Sequence, residues 1–567
     1  DNTGLILGTA TNNFGSLFNN WSTFTLSNVL LNSGKKYVIS ISAPSNAQVY
    51  YDNTNPYAAG LCNLGSSNDL AFRVFTMDEK NTLTIKAGKL GVNNNFPTST
   101  LDVNGSIKIS DGTQANGKIL MSDAIGKASW QDVSTKVIGG WSIKGNANTD
   151  ALNFIGTTDN QTLRFKVNNV PSGEINPTTG NSFFGLNAGR GNTTGFSNVA
   201  IGIGTLRVNT NKNNLVAIGD SALYNNGFGA DPLVGTDATN NTAVGSKSLF
   251  TNTTGNTNTA TGYQTLFSNT SGSANTANGH LSLYSNAVGY NNTATGYQAL
   301  YNNVDGSSNT ATGFGTLFSN ITGTTNTASG YQALYSNTFG NNNVASGYNA
   351  LYLNTTGSEN TASGMMALYA NTTGYENVAI GSTTLTINST GKQNTALGNY
   401  ALGYNTGSTN TAVGYTSLFG NTSAYSNVAV GVAALRNNSD RSNLVAIGDS
   451  ALYKNGTGAV IATDGTNNTA IGSKSLFNNT KGNSNTALGY QSLFANSTGS
   501  NNTAMGVQSL TANTTGNQNV AIGTHALDAN TNGVNNTAIG SSALGTNISG
   551  ANNVANGFEA LFSNTGD

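Results

Sequence analysis

The sequence predicts an all-β chain: an N-terminal β-sandwich of jelly-roll type, small β connector modules, and a long parallel β-solenoid or β-roll of 17-residue coils. Three observations predict it. Anchored on the Ala of Asn-Thr-Ala, successive links fall at Ala243, Ala260, Ala277, Ala294, Ala311, Ala328, Ala345, Ala362, Ala379 and Ala396, always 17 residues apart. Fixed self-similarity at this scale is the sequence mark of a solenoid. The columns of the repeat are the second observation. From Phe183 to Ala555 there are 22 links, with Gly two residues after the anchor in all 22 (Gly262, Gly296 and Gly330 are typical). Leu stands six after it in 21, as Leu300 and Leu334 do, with Gly189 the exception; Asn stands two before it in 20, as Asn326 does, with Leu215 and Leu444 the exceptions. The third observation is the alternation of apolar and polar residues in short runs before residue 89, at the spacing of a sandwich.

Residues 1–88 supply the predicted sandwich. Its strands are FTLSNVLL, KYVISISA, AQVYYD, DLAFRVFTM and TLTIKA, with turn residues between them. A cluster of Tyr50, Tyr51, Asp52, Tyr57, Asp69 and Arg73 is its candidate glycan site, since sugar-binding pockets combine aromatic platforms with a few polar groups. The alternative is that these aromatics are core. Residues 89–135 read as a β connector or collar with Trp130 as packing anchor, and 136–180 as a second connector, with TLRFKV as a strand and Pro171 and Pro177 close to the start of the repeat.

Residues 181–567 form the predicted shaft. A Gly in every turn demands φ > 0 or a backbone approach that excludes Cβ. Stacked Asn residues can hydrogen-bond from coil to coil, as ladder side chains do in stacked sheets. NTAxG is one β-prone segment and ALFxN or ALYxN a second, so two short strands per coil are expected, closed by a polar turn such as Thr-Thr-Gly. So thin a coil holds little beyond Ala and Leu. Yet 14 links carry Tyr or Phe directly after the Leu, as at Tyr301, Phe318, Tyr335 and Tyr352. A continuous aromatic stripe is rarely left open to water, so burial against sister chains around a threefold axis is expected; the competing reading is a monomeric β-helix with the rings inside a wider coil.

A longer period also exists: Ser197 to Gly227 returns as Ser426 to Gly456, and each copy runs into an enlarged link, near 226–240 and 455–467. These should protrude as loops, where binding tends to sit on a rigid scaffold; an insertion tolerated at a corner is the equal alternative. Asp220 and Asp449 occupy matching positions in the two copies, near Asp231, Asp237 and Asp464, and oxygen-rich loops of this kind can hold calcium. Asp in turns also caps its own backbone, which explains them equally well.

Composition narrows the classes. Only 8% of residues are charged, against about a quarter in ordinary domains; 25 charged residues lie in 1–180 and 22 in 181–567. A net charge of -1 argues against nucleic-acid binding, which needs clustered Lys and Arg. One cysteine, Cys62, excludes an internal disulfide framework, and the two histidines, His280 and His525, lie 245 residues apart. No apolar run approaches the ~18 residues of a membrane span. The motifs GxSxG and HExxH are absent, as is a phosphate loop, so no enzyme is expected. A solenoid needs covered ends, and a capping segment beyond Asp567 is expected.

The runs LDVNGSIKI, GKILMSDAIGKASW, NFIGTTDNQTLRFKVNN and NTAxGYxALYxNTTG resemble large secreted repeat-fibre proteins of Bacteroidetes-type bacteria. Related modules occur in phage tail fibres, often with a C-terminal chaperone of the endosialidase type. The repeat is similar to the head repeats of trimeric autotransporter adhesins, although those coils are typically shorter. The resemblance implies a homotrimeric, extracellular or cell-surface fibre that presents its N-terminal domain, with cell-surface or environmental glycans as partners. A receptor-binding tail fibre of a phage or injection machine is the alternative, and a polysaccharide-degrading enzyme on a β-helical shaft the second.

Overall fold

The computed structural model describes residues 73–75, 82–94, 96–132, 154–230 and 237–566. The chain divides into two compact units, Asp1–Ile155 and Gly156–Asp567. In the first, β1 (Arg73–Phe75), β2 (Thr82–Lys86), β3 (Lys89–Val92) and β4 (Leu101–Val103) form one sheet in chain order. The first two pairings are antiparallel and the third parallel. Ala87 and Gly88 both have positive φ, 51° and 76°, as the tight turn of a hairpin between right-twisted strands requires. The boundary placed at residue 88 therefore falls inside the β2–β3 hairpin. β5 (Lys118–Ser122) and β6 (Ala128–Asp132) form a second hairpin, and Trp130 donates its ring N–H to the Ile109 carbonyl at 3.1 Å. Most of the expected sandwich lies outside the described residues; β1 and β2 fall where its last two strands were expected.

The second unit opens with a meander. β7 (Leu163–Val167) and β8 (Val170–Asn176) turn through Asn168 and Asn169, at φ 47° and 61°, and β9 (Asn181–Phe184) returns antiparallel to β8. On its other edge β9 pairs in parallel with Val199–Ile201 and starts the solenoid. The latter part of the second connector is thus the cover of the first coil. From β9 to Val554–Asn556 there are 22 parallel strands, paired anchor against anchor. In the last of them Val554 is 71% exposed.

Each coil contains one short strand, of four residues in the first coil and three in every other, and this corrects the expectation of two. In the coil of Ala328 the strand is Thr327–Ser329. Gly330 follows at φ 127°, then Gln332 at 51° and Leu334 at 53°. Positive φ at every second residue folds ALY into consecutive bends, and an extended strand cannot include them. Their amides still bond along the axis: Gln332 N–H reaches back to the Phe314 carbonyl (2.9 Å), and Leu334 N–H reaches forward to that of Ala350 (2.9 Å). Buried backbone groups are thus paired without a second strand. Gly262, Gly296 and Gly330, at φ 132°, 130° and 127°, meet both conditions inferred from sequence, since an added Cβ at any of them would also strike the next coil's glycine.

The core is a column of Ala and Leu. Ala328, Ala333, Leu300 and Leu334 have no exposed surface. Gly189 escapes the Leu rule because Phe183 takes the Ala position in its coil, and a Cβ on Gly189 would overlap the Phe183 ring. Two Asn ladders flank the core, where one was foreseen. Asn326 accepts from the Asn343 amide (3.0 Å) and donates to Asn309 Oδ1 (3.2 Å) and, within its own coil, to the Gly340 carbonyl (2.8 Å). Asn337, nine after the anchor, donates to that same carbonyl (3.0 Å) and to Asn320 Oδ1 (2.9 Å). Asn holds this ninth position in all 22 coils, and its amide supplies the donors and acceptor that a dry ladder needs. Leu215 and Leu444 interrupt only the first ladder, in the two coils that are enlarged.

Candidate functional site

Regularity makes the departures informative. The rings after the core Leu stack on one another along the axis. An unbroken nine-ring column runs from Tyr224 through Tyr335 to Tyr369, with centroids 5.0–5.4 Å apart and ring planes within 22°. These rings are half-buried within a single chain, and burial comes first among the causes that raise the Tyr352 hydroxyl pKa. Arg207 lies over Tyr224 (5.6 Å) and donates to its hydroxyl (2.8 Å), capping the column as a cation on a ring face.

The exposed apolar row lies elsewhere, at the corner formed by the first and third residues after the anchor. From the coil of Ala260 to that of Ala362 the first of these is Thr, Asn or Ser, and the third is Tyr263, His280, Tyr297, Phe314, Tyr331, Tyr348 and Met365 in turn. From Ala379 to Ala538 the first position holds ten aliphatics in succession, Ile380 to Ile539, while the third is apolar or aromatic only at Tyr415, Val432, Tyr490 and Val507. Tyr331 is 44% exposed and Leu397 44%. The corner carries an apolar or aromatic side chain in every coil but the sixth, where His280 continues the ring stack at 5.2 and 5.3 Å.

The enlarged coils are the second departure. The steps from Ala217 to Ala243 and from Ala446 to Ala470 take 26 and 24 residues. In the preceding coils, Lys212 and Arg441 stand twelve after the anchor, where most coils carry Gly, as at Gly195, Gly255 and Gly482. At Gly306, an ordinary member of that column, a Cβ would overlap the two Asn ladders and the next coil's carbonyl. In each case the following coil is the enlarged one, and both cations are buried, at 2% and 3% exposure. Arg441 donates to the carbonyls of Ala459 (3.0 Å) and Ala462 (3.3 Å), and its Nε lies 3.5 Å from Asp440 Oδ1. It staples the loop to the shaft.

A third departure lies just before the second loop. The step from Ala396 to Ala412 is 16 residues, because Thr406-Gly407 replaces the usual three-residue turn. Gly403 occupies the ring position, and its missing Cβ would stand 3.0 Å from the Phe419 ring. Tyr400 therefore meets Tyr415 at 84° and Phe419 at 78°, and Tyr404 meets Phe419 at 78° with centroids 4.8 Å apart. Arg436 lies over Phe419 (5.7 Å) and Tyr453 (5.9 Å) and donates to the Tyr453 hydroxyl (3.0 Å). Tyr404, Phe419, Arg436, Asn437, Ser439 and Thr457 line a surface groove of about 460 Å³ here. Its sequence signal was the broken 17-residue interval after Ala396.

Of the residues singled out from sequence, Tyr50, Tyr51, Asp52, Tyr57, Asp69 and Asp231 lie outside the described residues, and Arg73 begins β1. Asp220 and Asp449 are exposed at the bend directly after the strand, whereas Asp237 and Asp464 close the enlarged loops; buried Leu and Asn positions separate them along the coil. Among the described residues no three or more His, Cys, Asp or Glu group as metal ligands would. Comparison with protein families, curated proteins and solved structures finds no match to this chain.

Proposed function

We propose that this chain is an extracellular structural and adhesive fibre protein, in which the solenoid is a rigid shaft that associates with two further copies of itself and displays the N-terminal residues for attachment to a surface. The observation that carries the reading is the exposed apolar corner along the coils. Full burial of one such aliphatic side chain contributes roughly 1.5–3 kcal/mol. Ten left about a third exposed hold back on the order of 5–10 kcal/mol per chain. A second copy, with the same coil spacing, matches this row side chain for side chain over the whole length, which a globular partner cannot do. At ~4.8 Å per coil the shaft is about 100 Å long, and three joined chains would multiply weak tip contacts into avidity.

The mass of the native particle tests this. Three times the 58.0 kDa chain mass is expected. Replacing Ile380, Ile447 and Ile522 by Ser, the residue that Ser329, Ser346 and Ser363 place at the same position, should release single chains with the solenoid intact. A wild-type particle of one chain mass overturns the assembly.

A further inference from the structure

We infer that the groove over Tyr404 and Arg436 binds an acidic saccharide, a sugar chain that carries carboxylates. The inference deepens the adhesive reading and rests on it. Within the long column from Tyr224 to Tyr369 the rings spend their faces on one another. At the short coil the rings turn perpendicular, and a perpendicular pair leaves the faces of one ring unstacked. Tyr404 is 49% exposed. An electron-rich ring face attracts the polarised C–H groups on one side of a sugar ring.

Arg436 supplies the charge. Its guanidinium is held between two aromatic rings, with one of its five donors on the Tyr453 hydroxyl. A fork fixed in this way keeps further donors for two-pronged recognition of a carboxylate. Asn437, Ser439 and Thr457 add amide and hydroxyl groups suited to sugar hydroxyls, and the loop that carries Thr457 is pinned from below by Arg441. The Asp440 carboxylate next to the groove is engaged by the shaft itself, 3.5 Å from Arg441 Nε and accepting from the Ser439 hydroxyl at 2.9 Å. The volume, about 460 Å³, falls within the ~300–1,000 Å³ of ligand pockets. Three irregularities of an otherwise uniform repeat (a shortened coil, absent ring-position aromatics and an enlarged coil) converge on this one place. The first duplicated block lacks it: Arg207 matches Arg436, but Arg190, Val208 and Phe228 stand where Phe419, Asn437 and Thr457 do.

Titration calorimetry on the full chain tests the assignment with three probes: trigalacturonate, sialyllactose and neutral lactose. At least one acidic probe should bind, at one site per chain, more weakly as salt rises, and lactose should not. The two acids tell a uronate from a sialic-acid source. Arg436→Thr and Tyr404→Ser install residues that other coils carry in those positions (Thr386 and Thr511; Ser336), so folding is kept. Each should weaken binding at least tenfold, and Arg436→Lys should fall between. Failure of both acids to bind at millimolar concentration, equal binding of lactose, or unchanged affinity in both variants overturns the assignment. Particle mass read on the same samples separates the two readings: single chains that bind remove the trimer alone, and trimers that bind neither acid remove the groove alone.

Discussion

Gly330→Ala is the sharpest single perturbation of the shaft. Gly330 has φ 127°, and a Cβ there would lie 2.6 Å from the carbonyl oxygen of Gly347 and 2.8 Å from its carbon. Both atoms are backbone, and Gly347 is fixed by its own N–H, which donates to the Ser329 carbonyl at 2.9 Å. The dihedral alone costs ~1–3 kcal/mol. Relief of the overlap must stretch one or two axial hydrogen bonds, each worth ~1 kcal/mol. The local loss is therefore about 2–5 kcal/mol. A long repeat array opens locally as well as globally, so amide hydrogen exchange is the right assay. Exchange of the amides in 327–347 should accelerate about 30- to 5,000-fold, at one decade per 1.36 kcal/mol. The control is Gly315→Asn, one coil earlier. Gly315 has φ 58°, its nearest neighbours are side-chain atoms at 3.4–3.5 Å, and Asn349 occupies the same column at φ 52°. Exchange there should change less than tenfold. Equal effects of the two variants, or none from Gly330→Ala, would refute the close-approach argument.

Three further outcomes are expected. Asn337→Ala removes the acceptor that Asn354 uses at 2.7 Å and the donor that Asn320 uses at 2.9 Å; unpaired groups in a dry ladder should cost ~2–4 kcal/mol, read as a lower urea midpoint. Arg441→Ala strips the Ala459 and Ala462 carbonyls of their charged donor, so limited proteolysis should cut within 456–465 at least tenfold faster while circular dichroism of the shaft is unchanged. At alkaline pH the shaft should weaken. Burial, the first cause, raises the Tyr352 pKa above the ordinary 10.0, so its contribution is complete below pH 10.0 and is lost as pH rises through the higher folded value. Thermal melts should fall between pH 9 and 11, and less so in Tyr352→Phe; identical falls in the two chains would remove this explanation.

What the sequence by itself determined is the coil. Period, strand position, the Gly turn, the buried Ala and Leu and the first Asn ladder were all legible, because stacking repeats one local environment 22 times and each column reports one environment. The second Asn ladder was equally written, in a ninth position that never varies. Only the tertiary structure decided what depends on φ at non-glycine residues: the left-handed Gln332 and Leu334 turn an expected strand into bends, since axial hydrogen bonds to both neighbouring coils fix conformations that propensity disfavours. It also decided which apolar columns are open. Tyr335 and its neighbours are shielded by one another, and the exposed row lies at the strand corner, where it shifts between two positions and so blurs in any one column. The groove belongs to the same class, because it arises from one missing residue, and a deletion acts through the rings of the coils above and below it.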